Sequence, residues 1–167
     1  SAASFNMLRN IYRVNWLILY LFGASPIITR NFLTEDNQSF KQLDKQTLFL
    51  PYATSLRMSN FGYQNTRRKK LEVSINSIAE YVSDLRKATK TAHSEFEKIQ
   101  ITNTKFQAQI NENILQIDDE YYAVARAKSK IISDQQTTSK LNQGGVDFIE
   151  LRSLDLNPFS RIGIDEE

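Results

Sequence analysis

Glu150 and Arg152 are the two residues whose types and spacing point most directly to chemistry. They stand two positions apart within residues 146–154, so an extended strand places both side chains on one face. Ile149 and Leu151 then form the opposite, apolar face. Two interpretations fit a carboxylate and a guanidinium in this arrangement: an ordinary surface pair, or part of the lining of a polar cleft. The periodicity leaves both open.

Residues 67–70, with the sequence RRKK, form the other notable cluster of charge. Such a run can bind the phosphates of a nucleic acid, but it is more often part of a solvated surface. No aromatic residue interrupts the run to stack on bases, which is how single strands are usually held. We therefore predict a solvated loop that precedes a helix, and no nucleic-acid partner.

The composition excludes several other kinds of site. The 167 residues contain no Cys, which removes disulfides, thiolate zinc sites and a cysteine nucleophile. A single histidine, His93, argues against a metal site built from several imidazoles, and we predict that it lies at the surface. With 21 Lys and Arg against 19 Asp and Glu, the net charge is only +2, which is low for a dedicated nucleic-acid binder. Neither common glycine-rich phosphate loop occurs.

The first predicted element of the scaffold that must position the candidate residues is an apolar helix over residues 5–22. Gly23 provides the helix stop and Pro26 follows it. Residues 16–22 are apolar without interruption, but a membrane span needs about 20 such residues, and Arg13 and Asn15 lie just upstream. We therefore predict a buried core helix, no secretory signal and no contact with a membrane.

A second, amphipathic helix is predicted over residues 74–92. Ser77 and Glu80 have the spacing of a capping box, and Ser74 is a competing start. The apolar positions recur at helical spacing at Ile75, Ile78, Ala79, Val82 and Leu85, while Asp84, Arg86, Lys87 and Lys90 form the opposite face. Between the two helices, a short strand is predicted at residues 48–50, ended by Pro51.

The second half of the chain alternates with a period of two, which is typical of strands. Leu115 and Ile117 would point one way, and Gln116, Asp118, Glu120 and Tyr122 the other. A linker rich in Ser, Gln and Thr is predicted over residues 133–143, before Gly144 and Gly145. The strand that carries Glu150 and Arg152 follows it.

Three segments of the chain resemble glutamate–cysteine ligases of the proteobacterial type. They are LFGASP at 21–26, LPYATSLRMS at 50–59 with Gly62 and Tyr63, and IELRSLDLNPF at 149–159. The resemblance implies an enzyme that uses ATP and Mg²⁺ to join the γ-carboxylate of glutamate to the amino group of cysteine, the first step of glutathione synthesis. It also implies an α+β fold related to glutamine synthetase, with helices packed on a curved, mainly antiparallel sheet that forms the active-site cradle.

The resemblance also assigns roles to individual residues. The family converts the glutamate carboxylate to an acyl phosphate, which the cysteine nitrogen attacks. Glu150 matches a carboxylate ligand of Mg²⁺, and Arg152 matches an arginine that meets phosphate oxygens. Arg57 matches a second catalytic arginine, which contacts the substrate and the developing phosphate. Tyr63 and Tyr122 match tyrosines that line the cysteine pocket.

This sequence departs from the family pattern after Tyr122. The family tends to have prolines there, where this chain has Val124 and Ala127. Arg126 and Lys128 remain, so we predict that a basic lip persists around an altered loop.

We interpret residues 1–167 as one segment of the family's catalytic domain, with residues 1–4 as a candidate cloning remnant. In the family, further acidic Mg²⁺ ligands, a histidine and part of the nucleotide and cysteine sites precede this region. The partners implied are glutamate, cysteine, ATP and the remainder of the same polypeptide, and the implied location is the cytoplasm. Two alternatives stay open: a non-catalytic scaffold or partner-binding module derived from the same fold, in which residues 67–70 would dock a partner, and an RNA-binding domain.

Overall fold

The computed structural model describes residues 2–32, 40–59, 71–97 and 109–164. Within these ranges the chain forms three helices and five strands, and all strand pairs are antiparallel, which confirms the predicted α+β class. The helices are α1 (Ala2–Phe22), α2 (Ile78–Ala88) and α3 (Thr137–Gly144). The strands are β1 (Ile27–Thr29), β2 (Lys41–Gln42), β3 (Thr47–Phe49), β4 (Ala125–Lys128) and β5 (Phe148–Leu151).

The chain divides into two compact units. The first unit consists of residues 1–12 and 65–151, and the second consists of residues 13–64 and 152–167. The strands belong to two small antiparallel sheets, one in each unit: β4 pairs with β5 in the first, and β1, β3 and β2 lie in that order in the second. The predicted strand at residues 48–50 is confirmed as β3, shifted by one residue.

The core of the first unit lies between α2, the start of α1 and the β4–β5 sheet. Helix α2 begins at the predicted capping box, because Ser77 Oγ accepts a hydrogen bond from the Glu80 N–H at 3.2 Å. Ser74, the competing start, lies before the helix and donates its hydroxyl hydrogen to Glu80 at 2.6 Å. Twelve buried residues form the core: Phe5, Leu8, Tyr81, Val82, Leu85, Ala88, Leu115, Tyr121, Ala123, Ala125, Ala127 and Leu141.

The predicted strand at residues 115–122 is wrong. Residues 118–120 form a single 3-10 turn, and the strand of this region is β4, which begins only at Ala125. The amides that a strand partner would have bound have other partners instead: the Gln116 N–H donates to the nearby Glu120 at 2.8 Å, and the Leu115 N–H donates to the Ala88 carbonyl of α2 at 3.1 Å. Polar side chains that bond the nearby backbone compete with the sheet in this way.

The predicted linker at residues 133–143 is also wrong, because Thr137–Gly144 forms helix α3. The helix has no side-chain cap from its own N-cap residue, Gln136. Asp118, which is 3% exposed, supplies the cap from the 3-10 turn and accepts a hydrogen bond from the Thr138 N–H at 2.7 Å. The residue that follows the helix is Gly145, whose positive φ of 75° favours glycine.

Asp119, next to this cap, links the 3-10 turn to β4 and α3. Its carboxylate accepts hydrogen bonds from Lys128 Nζ and Thr137 Oγ1, both at 2.9 Å. Partial burial acts to raise the pKa of Asp119. The hydrogen bonds from Lys128 and Thr137, together with the positive charge of Lys128, outweigh this effect and hold the pKa below its usual value. The ion pair therefore stabilises the fold only while Asp119 is ionised.

The Asp119→Asn variant should be less stable than the wild type at neutral pH by about 1 kcal/mol, the upper range for a half-exposed pair. A lowered folded-state pKa gives stability that is complete above the unfolded-state pKa, about 4, and is lost as the pH falls through the folded-state value. The difference between the two proteins should therefore shrink towards zero in strong acid. Urea unfolding across this pH range measures it, with the exposed Asp134→Asn as control. A difference that stays constant with pH would contradict the role of the charge.

In the second unit, the three-stranded sheet and the end of α1 flank the segments that resemble the ligase family. Strand β3 is central, with Leu48 opposite Ile28 of β1 and opposite Gln42 of β2. Leu48 and Leu56 are the buried apolar residues of the described part of this unit. Just before β1, Ser25 forms an isolated parallel β-bridge with Ser55.

Helix α1 confirms the predicted helix and its stop at Gly23, but it begins earlier, at Ala2. The prediction that residues 16–22 are buried is wrong, since Trp16 is 69% exposed, Tyr20 71% and Leu21 57%. The buried residues of the helix, Phe5 and Leu8, lie instead in its first third. Among the described helices, none has the length and apolar character needed to cross a membrane.

Candidate active site

Glu150 lies on β5 in the first unit, on the face opposite to the core. Its neighbours Ile149 and Leu151 pack against the core, as the alternation of the strand predicted. The register of the β4–β5 pair places Arg126 directly across from Glu150, so the two side chains share one face of the sheet. Glu150 is half-buried, and Arg126 is only 4% exposed.

Arg126 is held in place by the 3-10 turn. Its guanidinium donates hydrogen bonds to the carbonyl oxygens of Asp119, at 2.8 Å, and Tyr121, and lies 3.7 Å from the Asp119 carboxylate. The predicted basic lip is therefore wrong: Arg126 is buried, and Lys128 forms an ion pair with Asp119 at 2.9 Å.

Tyr122 connects the 3-10 turn to β4 and is half-buried. The preceding Tyr121 is 8% exposed and packs edge-on against Tyr81, with 6.3 Å between ring centroids. Burial raises the pKa of the Tyr121 phenol, which keeps it neutral in the core. Of the two adjacent tyrosines, Tyr122 is thus the one whose ring keeps contact with solvent.

Arg57 lies in the second unit, two residues after the Ser25–Ser55 bridge. Its Nη1 atom donates a hydrogen bond to the Leu154 carbonyl at 3.2 Å, and the side chain is half-buried. Leu154 belongs to the same segment as Arg152, which follows β5 directly and is also half-buried. The two arginines expected to act on phosphate therefore sit in segments of the second unit that are joined by a hydrogen bond.

Asp155 joins these segments to a third. It is 6% exposed, and its Oδ2 atom accepts hydrogen bonds from the Ala24 N–H at 3.0 Å and from Ser25 Oγ at 2.7 Å. Backbone hydrogen bonds then run from the Ser25 N–H to the Thr54 carbonyl at 3.1 Å and from the Leu56 N–H to the Ser25 carbonyl at 2.7 Å. Residues 21–26, 50–59 and 152–159 thus meet in the second unit.

Gly23 permits the close approach of α1 to this meeting point. A Cβ atom at Gly23 would lie 2.5 Å from the Leu19 carbonyl oxygen and 2.7 Å from both the carbonyl carbon and the Cβ of Thr54. Thr54 also donates its hydroxyl hydrogen to that Leu19 oxygen at 2.7 Å. The glycine is required here by space and not by backbone angle.

Comparison with known proteins identifies the family. The family model described as glutamate–cysteine ligase matches residues 1–167. The chain belongs to the glutamate–cysteine ligase family. It is similar to the glutamate–cysteine ligase of Aliivibrio salmonicida, with 46% identity over 169 residues that cover 100% of this chain and 32% of the relative. It is 45% identical to that of Aliivibrio fischeri, with the same coverage.

Solved structures agree with the family at the level of the fold. A 2.0 Å crystal structure of the glutamate–cysteine ligase of Francisella tularensis, in complex with AMP, superposes with a TM-score of 0.90 at 36% identity, over 99% of this chain and 33% of that one. A bifunctional glutathione synthetase from Pasteurella multocida shares the fold, with a TM-score of 0.56 at 24% identity, over 96% of this chain and 16% of that one. The chain spans about a third of the length of the ligases it matches.

The predicted ligase residues are divided between the two units. Arg57 and Arg152 lie in the second unit, whereas Glu150 and Tyr122 lie in the first. Tyr63 and the basic run at residues 67–70 fall outside the described residues. Sequence reasoning assigned no role to Asp155, although a carboxylate placed directly between Leu154 and Leu156 is a usable signal of a buried hydrogen-bonded acid.

Glu150 is an acidic side chain with the chemistry to bind Mg²⁺. No cluster of three or more His, Asp or Glu side chains suited to a metal ion occurs in residues 2–32, 40–59, 71–97 and 109–164. Mg²⁺ in nucleotide enzymes is commonly held by one or two carboxylates together with phosphate oxygens and water. Glu150, a half-buried carboxylate on β5, is suited to be one of these carboxylate ligands.

Proposed function

We propose that these residues are one segment of the catalytic domain of a glutamate–cysteine ligase, which joins the γ-carboxylate of glutamate to the amino group of cysteine at the expense of ATP. The observation that carries the proposal is the family match over the whole chain. The presence of Glu150, Arg57 and Arg152 in the described part of the chain supports it, because a scaffold without catalysis would not need this set of charges.

In this proposal the two arginines serve the phosphoryl transfer. A carboxylate does not react with an amine unaided, so the γ-carboxylate first takes the terminal phosphoryl group of ATP, and the cysteine nitrogen then displaces phosphate. Negative charge spreads over the phosphoryl oxygens in the first step and over the tetrahedral centre in the second. Arg57 and Arg152 would lower the energy of both states with guanidinium donors already in position.

Glu150 would hold the metal ion that the nucleotide needs. When bound, Mg²⁺ neutralises charge on the phosphate oxygens and makes the terminal phosphoryl group easier to transfer. In this proposal the chain provides one hard oxygen ligand, the Glu150 carboxylate. The antiparallel pairing of β5 with β4 fixes the position of Glu150. Arg126 lies directly across the ladder from Glu150, on the same face of the sheet.

Substrate recognition in the proposal involves the two tyrosines and the nucleotide site. Tyr63 and Tyr122 would line the cysteine pocket, each with an apolar ring and a hydroxyl group that can hydrogen-bond. The AMP bound by the Francisella tularensis ligase supports nucleotide binding as a shared property of the fold. Because ATP and free cysteine are metabolites of the cytoplasm, we propose that location.

The function is tested by assaying the full-length protein for phosphate release. Release should require ATP, Mg²⁺, glutamate and cysteine together, and γ-glutamylcysteine should appear in equal amount. A folded full-length protein that releases no phosphate under these conditions would support the non-catalytic scaffold instead. An RNA-binding role would show as a salt-dependent mobility shift with generic RNA.

The Arg57→Lys variant of the full-length enzyme should show about 100-fold lower kcat, because an ammonium group cannot reproduce the two-pronged contact of a guanidinium with phosphate oxygens. Initial rates of phosphate release at saturating substrates measure it. Arg9→Lys is the matched control, since Arg9 donates to the carbonyl oxygens of Ile75 and Asn76, each at 2.9 Å, outside the proposed site. A wild-type rate for Arg57→Lys would argue against the bidentate contact.

A further inference from the structure

We infer that Asp155 is a positioning residue, which sets the place of the Arg57 guanidinium relative to the segment that carries Arg152. The inference rests on the proposed function, since it assumes that Arg57 acts on the reacting groups. Asp155 itself is 6% exposed, and its Oδ2 atom is engaged by the Ala24 N–H and Ser25 Oγ. Its effect on the reaction would therefore be indirect.

The hydrogen bonds around Asp155 form a closed circuit. From Asp155 the path runs to Ser25 at 2.7 Å, and from the Ser25 carbonyl to the Leu56 N–H at 2.7 Å. Arg57 follows Leu56 in the chain, and its Nη1 atom returns to the Leu154 carbonyl at 3.2 Å, one residue before Asp155. All of these residues lie in the second unit.

The circuit makes the position of Arg57 depend on the carboxylate. The Ser25 hydroxyl lies 3.5 Å from Ser55 Oγ, so both ends of the Ser25–Ser55 bridge lie close to Asp155. Without the carboxylate, the Ala24 N–H and the Ser25 hydroxyl would lose a charged acceptor in a buried place, and such groups shift to find other partners. The bridge and the turn that carries Arg57 would then move together.

A double-mutant cycle in the full-length enzyme tests the inference. Asp155→Ala should lower kcat about 10-fold, because a displacement of about 1 Å in a positioned group is enough for such a loss, while KM for ATP and for glutamate changes less than about 3-fold. Asp155→Asn keeps one carbonyl acceptor and should recover part of the rate. In an Arg57→Ala background, Asp155→Ala should cost less than about 2-fold more, because the group that it positions is already absent.

Asp147 offers a matched control. It also accepts hydrogen bonds from one backbone amide, Lys130 N–H at 2.7 Å, and one serine hydroxyl, Ser129 Oγ at 3.1 Å, but it is exposed and belongs to the first unit. Asp147→Ala should leave kcat unchanged. Where Asp155→Ala does not yield folded protein, Ser25→Ala, which removes only one of the two donors, enters the same cycle in its place.

The outcomes separate this inference from the proposed function. An Asp155→Ala loss that is equally large with Arg57 and without it would overturn the positioning role, because a general loss of structure acts independently of Arg57. An unchanged kcat in Asp155→Ala would overturn it as well. In both cases a slow Arg57→Ala enzyme would leave the proposed function intact. A fully active Arg57→Ala enzyme would remove the role of Arg57 and the positioning role together.

Discussion

The 167-residue chain, purified on its own, should release no phosphate from ATP in the presence of glutamate, cysteine and Mg²⁺. Its described residues contribute one acidic side chain to the proposed Mg²⁺ site, and a phosphoryl-transfer site needs further ligands to hold the metal and the nucleotide. Because the chain spans about a third of the ligases it matches, we expect the remaining ligands in the other two thirds. Binding of Mg·ATP should likewise be weak or undetectable.

This experiment needs evidence that the chain is folded. A cooperative unfolding transition in urea, with the expected loss on Leu85→Ala in the core of the first unit, provides it. The full-length enzyme in the same assay is the positive control. If the purified chain shows turnover that depends on both amino acids, the segment carries a complete site. That result would contradict the proposal that the remaining ligands lie in the other two thirds of the ligase.

The Glu150→Gln variant of the full-length enzyme should show about 10³-fold lower kcat at a fixed, low Mg²⁺ concentration, because a metal ion that is held poorly no longer supplies several kcal/mol of transition-state stabilisation. Glutamine keeps the length of the side chain and one oxygen ligand but removes the charge. The defect should therefore shrink as Mg²⁺ is raised, while a defect of folding would not respond.

Rates of phosphate release over a Mg²⁺ titration measure this effect. Glu95→Gln is a suitable control, because Glu95 is an exposed carboxylate on the turn after α2 and its loss should leave the titration curve unchanged. Identical curves for Glu150→Gln and the wild type would remove Glu150 from the metal site. A loss of rate that more Mg²⁺ does not relieve would indicate another role for the carboxylate.

Elements with local signals could be predicted from the sequence. The capping box of Ser77 and Glu80 starts α2, and Gly23 ends α1, because in both cases the residues that satisfy or break the helix are within four positions. The faces of β5 were also predictable, since a strand with one face on the core must alternate.

Elements that depend on distant partners could not be predicted. Helix α3 is capped by Asp118, twenty residues upstream, so its own Ser-, Gln- and Thr-rich sequence resembles a linker. The apolar stretch at residues 16–22 indicates burial by composition, yet the side chains of Trp16 and Tyr20 are largely exposed in this structure. Burial depends on what packs against a helix, and the helix sequence does not contain that information.

The candidate site was predictable only in part for the same reason. The spacing of Glu150 and Arg152 signalled a polar strand face, and the family resemblance added Arg57 and the tyrosines. The arrangement around Asp155 joins residues about 130 positions apart in the chain, and such contacts leave no periodic trace. The role of Tyr63 stays a prediction.

The contact at Gly23 has a consequence for how this protein can change over generations. The atoms that a new side chain would meet are a carbonyl oxygen of α1 and the main chain and Cβ of Thr54, none of which is the end of a flexible side chain. A larger side chain at this position cannot be accommodated by rotation of a neighbouring side chain. A replacement therefore requires that α1 and the loop that carries Thr54 shift together. We therefore expect position 23 to tolerate few alternatives to glycine in a saturation library selected for growth without added glutathione.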